Sequence, residues 1–190
     1  MLGYGLAVSA LVETDEVPRL LRLAKSGDIA AFESLLRLYE VQVARTALRL
    51  LGSRQDAQDA AQEVFLRLYQ RISQIDSAGN LSGWLYRVTV NASYDILRKR
   101  KGAVAVALDE ARLPVESSTE ATLGREQQRK LVAEALRTLP DKEKAAVTLR
   151  DIEGLSTREV AGILGSSEAT VRSQVSTARL KIRKFLRRRI

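Results

Sequence analysis

Cysteine and histidine are both absent from the 190 residues. Disulfides, thiolate chemistry, Cys/His zinc sites and imidazole acid–base catalysis are therefore excluded. Proline is scarce (3) and glycine modest (11), which rules out collagen-like and wholly disordered chains. The sequence also lacks the Gly-x-x-x-x-Gly-Lys loop that cradles phosphates and the Gly-x-Gly-x-x-Gly turn of dinucleotide sites. No nucleophile–base pair or metal-ligand set stands out, so no enzyme, cofactor or metal is expected. The longest uncharged N-terminal stretch, Met1 to Val12, falls far short of the about 20 apolar residues of a membrane span. Ala7 to Ala10 has the small residues of a cleavage site, but no basic segment precedes it, and a cytoplasmic protein is expected.

What is present is 45% hydrophobic, 28% charged and 5% aromatic, enough apolar residue for one medium core or two small ones. The charge is unevenly placed. Val171 to Ile190 carry Arg172, Arg179, Lys181, Arg183, Lys184, Arg187, Arg188 and Arg189 with no acid, which equals the whole net charge of +8. A neutral body with a cationic end suits a polyanion, nucleic acid first. A solvated basic tail fits the charge as well, so charge alone does not separate the two.

Apolar spacing of 3.6 residues runs through the chain and period-two alternation does not, which predicts an all-α fold. Pro18 opens a short helix before Gly27, and Asp28 caps one running to about Leu51, its packing face Ile29, Phe32, Leu35, Leu36, Tyr39, Val43, Ala47 and Leu50. Gly52 ends that helix, and Ser53 starts a third to about Ser73 that buries Ala57, Ala60, Val64, Phe65, Leu68 and Ile72. A turn at Ser77 to Asn80 precedes a fourth, from about Ser82 to Lys101. Residues 1–17 read as a tail, 18–101 as one helical domain and 102–119 as a flexible linker able to span about 60 Å when extended. Residues 120–190 form a second domain, with helices from about Glu120 to Thr138 and from Asp141 to Glu153. Ser156 and Glu159 then form a capping box, Gly165 closes a short helix, and Ser166 or Ser167 caps a long one to about Arg188. Those proportions fit a helix-turn-helix and equally an ordinary helical hairpin.

The faces decide between them. On the last helix, Val171, Val175, Ala178, Ile182 and Phe185 make a packing stripe, and Arg172, Ser176, Arg179 and Arg183 lie beside it with Ser173. Arginine reads guanine edges or clamps phosphate, and the first turns of such a helix enter the major groove, which favours duplex DNA over a solvated face. The fourth helix carries Trp84, Arg87, Asn91, Tyr94 and Arg98 opposite a packing side of Leu85, Val88, Ala92 and Ile96. Rings interleaved with cations suit unstacked bases, although Trp84 also reads as a core tryptophan. The third helix shows Asp56, Asp59, Gln62, Glu63 and Arg67, whose early acids complement the helix dipole as any solvated face does.

Asp56–Tyr69 (DAQDAAQEVFLRLY) resembles the core-polymerase-binding helix of bacterial sigma factors, and Trp84–Arg98 (WLYRVTVNASYDILR) the −10-reading helix of the extracytoplasmic-function (ECF) type. Leu139–Lys144, Asp151–Ser156, Glu159–Ala161 and Glu168–Ser173 resemble that family's −35-binding domain. The resemblance spans residues 18–101 and 120–188. It implies a subunit that carries core RNA polymerase to −35 and −10 promoter elements. Asp56, Asp59, Gln62, Glu63 and Arg67 would dock on the β′ clamp helices, with the β flap a further part of the polymerase core that the chain would meet. Asn80, Trp84, Arg87, Asn91, Tyr94, Arg98 and Lys99 would face melted −10 DNA, with the turn from Ser77 to Gly83 pocketing a flipped base. Ser167, Thr170, Arg172, Ser173, Ser176, Arg179 and Arg183 would read duplex DNA at −35. An anti-sigma factor is the implied regulator. The family often has arginine where Gln174 and Thr177 stand and glycine at Ala169, which bears on −35 preference. The alternative, a stand-alone helix-turn-helix regulator, explains the second domain but not the Trp84 stripe.

Overall fold

The computed structural model describes residues 16–76, 78–104 and 123–189; they form eight α-helices with no strand among them. The N-terminal unit holds α1 (Glu16–Lys25), α2 (Ile29–Leu51), α3 (Arg54–Arg71), a 3-10 turn (Ile72–Gln74) and α4 (Ala78–Val104). Its breaks are locally encoded. The Asp28 carboxylate accepts the Ala31 N–H at 3.0 Å, and the Ser53 hydroxyl accepts that of Asp56 at 3.3 Å. Gly52 ends α2 at φ 68°, a left-handed conformation open to a residue without Cβ, so α2 and α3 meet over a two-residue corner. Leu35, Val64, Leu68, Leu81 and Leu85 are fully enclosed between α2, α3 and α4. Each buried side chain of this size contributes about 1.5–3 kcal/mol.

Three expectations shift here. The helix opened by Pro18 starts earlier, and Val17 is buried in the core, so the tail ends sooner; residues 1–15 lie outside the described ones. Ile29 is 72% exposed. It stands about 120° around α2 from Leu35, off the face that the buried Ala31 and Leu35 turn to the core. The turn expected at Ser77 to Asn80 is already helical from Ala78, because enclosing Leu81 draws the first turn of α4 into the core; Ser77 itself lies outside the described residues.

The C-terminal unit holds α5 (Leu123–Arg137), α6 (Asp141–Val147), α7 (Thr157–Leu164) and α8 (Glu168–Arg187). The helix expected from Asp141 to Glu153 loosens into a π turn over Thr148–Ile152, with the Glu153 N–H donating to the Thr148 carbonyl at 2.9 Å. The extra residue rotates the downstream chain by about 100°, and Gly154 at φ 79° then ends the run. The capping box forms as the spacing predicts: the Ser156 hydroxyl accepts the Glu159 N–H at 3.2 Å, and the Glu159 carboxylate accepts the Ser156 N–H at 2.7 Å. Those bonds hold the Glu159 carboxyl below its usual range. Gly165 at φ 60° closes α7, and Ser167 caps α8. On α8, Val171, Val175 and Ala178 are buried while Ile182 and Phe185 are half-buried.

The largest departure concerns the two units together. A linker able to hold them far apart was the expectation; instead they share a core. Leu50 of α2 with Tyr86 and Val90 of α4 pack among Ala145, Ala146, Leu149 and Val160. The physical reason is a second apolar stripe on α4, Tyr86, Val90 and Tyr94 at spacings of four, which the N-terminal core leaves uncovered. Residues 102–104 of the expected linker continue α4, and 105–119 lie outside the described residues, as do 120–122 of the helix expected from Glu120.

Candidate nucleic-acid interface

The helix-turn-helix corner presents the first turns of α8 to solvent. Ser167, Thr170, Arg172, Ser173, Ser176, Arg179 and Arg183 are all open to solvent, while Val171 and Val175 between them are buried. Two are held in place by acids. Arg172 pairs with Glu168 one turn earlier at 3.3 Å. Arg179 makes a bidentate pair with Asp151 of the π turn at 2.7 and 2.8 Å, which raises its already high pKa. Exposed pairs of this kind hold a guanidinium in place but are worth little and break readily. Ser167 and Thr170 are partly committed to the cap, their hydroxyls 2.8 Å apart.

Farther along, Arg179 and Arg183 border an open apolar groove of about 610 Å³ lined by Val132, Leu136, Val147, Ile152, Ile182 and Leu186. Arg172 and Ser173 thus face open solvent, whereas Arg179 and Arg183 also belong to the rim of a groove. No local pattern in the sequence marks this groove, because its walls come from α5, α6, the π turn and α8.

On α4 the predicted residues are not equally available. Asn80, Asn91, Arg98 and Lys99 are exposed, with Arg98 paired to Asp95 at 3.1 Å. Trp84 is half-buried and packs against the N-terminal core, so part of its ring does a core tryptophan's work. Arg87 is exposed overall but donates to the Gly162 carbonyl of α7 at 2.9 Å. Tyr94 packs against the shared core, its hydroxyl 3.4 Å from the Asp141 carbonyl. Burial, with the nearby Asp141 carboxylate second, pushes the Tyr94 phenol up to about 12. A face that the spacing draws as one open stripe is therefore engaged by the other unit at Arg87 and Tyr94 and by its own core at Trp84.

The acidic face of α3 is tied to α4. Asp59 is exposed, while the half-buried Asp56 forms an ion pair with Arg100 at 2.8 Å. Gln62 lies on the same face. Glu63 accepts from Arg67 at 2.7 Å, and Arg67 lies 4.0 Å from Asp95. Beside this face, Leu66 and Tyr69 are exposed and the Tyr69 ring meets Phe32 edge-on at 5.4 Å.

Sequence reasoning missed the groups that join the units. Glu153, whose side chain is 12% exposed, accepts from Thr46 at 3.1 Å, from Tyr86 at 3.2 Å and from Arg49. Lys144 is buried and donates to the Leu50 carbonyl at 3.3 Å. The usable signal was the Tyr86/Val90/Tyr94 stripe; nothing near Glu153 in the sequence marks its partners.

Two family patterns match, sigma-70 region 2 over residues 35–103 and sigma-70 region 4 over residues 129–182. The chain is 37% identical to the ECF RNA polymerase sigma factor SigE of Mycolicibacterium smegmatis, over 85% of this chain but 65% of that longer protein. It is 31% identical to the ECF RNA polymerase sigma-E factor of Escherichia coli K12, over 87% of this chain and 91% of that one. Its fold is similar to the sigma factor RpoE solved with the anti-sigma factor NepR from Bartonella quintana, with a TM-score of 0.68, 23% identity and coverage of 84% and 98%. Two matched regions in the family's order, on an all-helical chain with a helix-turn-helix behind its first unit, place the protein among the ECF sigma factors of the sigma-70 family and not among stand-alone regulators.

Proposed function

We propose that this chain binds core RNA polymerase and directs it to promoters with two DNA-reading helices, acting in the cytoplasm without chemistry of its own. The observation that carries this reading is the solvent-facing side of α8, polar in its first turns and cationic from Arg179 onward, immediately behind a capped helix-turn-helix corner. Arg172, Ser173 and Ser176 are assigned to −35 base edges, with Ser167, Thr170, Arg179 and Arg183 on the flanking backbone. Asn80, Trp84, Arg87, Asn91, Tyr94, Arg98 and Lys99 of α4 are assigned to the melted −10 strand, where ring stacking and base pockets offset the few kcal/mol of base flipping.

Residues 18–101 act as the polymerase-binding and −10 unit, and residues 120–190 as the −35 unit. Asp56, Asp59, Gln62, Glu63 and Arg67 are assigned to the β′ clamp helices; exposed Leu66 and Tyr69 beside them add apolar area. The groove under Arg179 and Arg183 gives the β flap an apolar seat on the C-terminal unit. An anti-sigma factor is the proposed regulator, as family membership implies.

The test is selection of bound promoters from random DNA with reconstituted holoenzyme. Enrichment of paired −35 and −10 elements, lost at −35 with Arg172→Ala, is expected. Initiation at the same sites with and without this chain would refute the reading.

A further inference from the structure

We propose that residues 4–15 dock as a further helix along an unpartnered seam of α2. Tyr4, Val8 and Leu11 then lie against Leu38, Val41 and Leu48, with Glu13 and Asp15 beside Arg45. Three observations carry this: the seam, the point at which the chain enters α1, and the make-up of the segment before it.

The seam is a row of side chains that the fold leaves open. Leu38, Val41 and Leu48 are 43%, 53% and 42% exposed, although α1, α3, α4 and the C-terminal unit all meet α2 elsewhere. Single apolar residues at a surface are ordinary, but these form a row. Ser34, Leu38, Val41, Arg45 and Leu48 recur at spacings of four, three, four and three, the repeat by which one helix packs along another. The opposite side of α2, with Leu35, Tyr39, Val43 and Ala47, is already in the core.

The chain enters beside this seam. The turn at Gly27, φ 93°, folds α1 back along α2, and Val17, Leu21 and Ala24 share the core with Ala31, Leu35 and Tyr39. The 10 residues of α1, at about 1.5 Å each, return the chain to about the level of Tyr39. Exposed Glu16 thus stands within about one turn of Leu38 and Val41 along the axis of α2. A segment that keeps the direction of α1 runs antiparallel to α2, past Val41 and towards Leu48. Residues 4–15 span about 18 Å as a helix, and Leu38 to Leu48 about 15 Å.

The composition fits the same seat. Residues 1–15 are mostly apolar, and Glu13 and Asp15 are their only charged side chains. Tyr4, Val8, Leu11 and Asp15 fall at spacings of four, three and four, matching the seam. Arg45 is exposed within the row, and a helical side chain leans towards the helix N-terminus. Its guanidinium therefore reaches towards the level at which Glu13 and Asp15 pass. A second copy of α2 would bring another arginine to that place, whereas the segment brings acid.

The chain has no cysteine, so Ser9→Cys puts a single nitroxide on the segment, off the Tyr4/Val8/Leu11 face. In the full isotope-labelled protein, without polymerase or DNA, the amide signals from Val41 to Leu48 are expected to lose more than half their intensity. They should regain it when the nitroxide is reduced, while Val132 and Ile182 in the groove of the C-terminal unit change little. In Val41→Gln/Leu48→Gln, which alters exposed positions only, the loss should fall several-fold while the rest of the spectrum stays that of the folded protein. Loss centred on Val132 and Ile182 would seat the segment in the groove and overturn the proposal. Loss seen only when nitroxide-bearing and isotope-labelled chains are mixed would put a second copy on the seam and overturn it too. An α2 untouched by the nitroxide would do the same, and weaker binding of the glutamine variant to core polymerase would then give the seam to that partner.

Discussion

The two cationic helices present their faces in opposite ways. On α8 the predicted DNA residues stand clear of the other unit, kept in order by short-range pairs such as Arg172 with Glu168. On α4 they are shared with a neighbour: Arg87 is bonded to α7, Tyr94 is sunk against the shared core and Trp84 is half within its own. A helix that needs one partner for its fold has a whole side left to offer. One that carries two apolar stripes offers only the seam between them, and its availability follows from how the units are arranged.

The contrast breaks most completely at Val90, which is 1% exposed at the joint. Val90→Asp places an uncompensated charge there, a cost of about 3–5 kcal/mol that separating the units relieves. Small-angle scattering should show a larger radius of gyration, with far-UV helicity largely kept; an unchanged radius would argue against the shared core as the joint. On the α8 side, Arg172→Ala should cost about 1–3 kcal/mol of discrimination at one −35 base in holoenzyme binding if its contact is bidentate. Equal loss across all −35 variants would mark Arg172 as a phosphate contact.

How much of this was legible depends on range. Asp28, Gly52, Ser53, Ser156 and Gly165 act on backbone groups within a few residues, so the helix boundaries they set could be read directly. The α8 stripe was legible because one face suffices to bury it. Glu153 was not: its donors lie 104 and 107 residues away at Arg49 and Thr46, and 67 away at Tyr86. In sequence it looks like an ordinary acid at a helix end. The cover over Arg87 and Tyr94 was hidden for the same reason, although Tyr86, Val90 and Tyr94 spelled out a second stripe on a helix already given one.

Two smaller effects sharpen the comparison. Ser156→Ala removes one half of the box that sets the corner before α8, an expected loss of about 1 kcal/mol in denaturant melts. Because the box holds the Glu159 carboxyl low, that stabilisation is present above the ordinary glutamate range and fades as pH falls through the lowered value. The wild-type advantage over Ser156→Ala should therefore shrink in acid; a constant gap would remove Glu159 from the account. On α4, the Tyr94 phenol at about 12 should appear as a late tyrosinate step in ultraviolet titration, absent from Tyr94→Phe. Its contribution to folding is whole below the ordinary value of 10.0 and declines as pH rises towards 12. A Tyr94 step near its ordinary value would mean the phenol is solvated and α4 uncovered.

The reciprocal capping of α2 by Lys144 and α7 by Arg87 makes the opening of the joint a local event with distant markers. When the units part, two last turns lose a cationic donor at once, one near Leu50 and the other near Gly162. Both should fray. Amide hydrogens there would exchange with solvent faster in concert, although they sit on separate helices about a hundred residues apart in the chain, while the amides around Leu68 keep their protection.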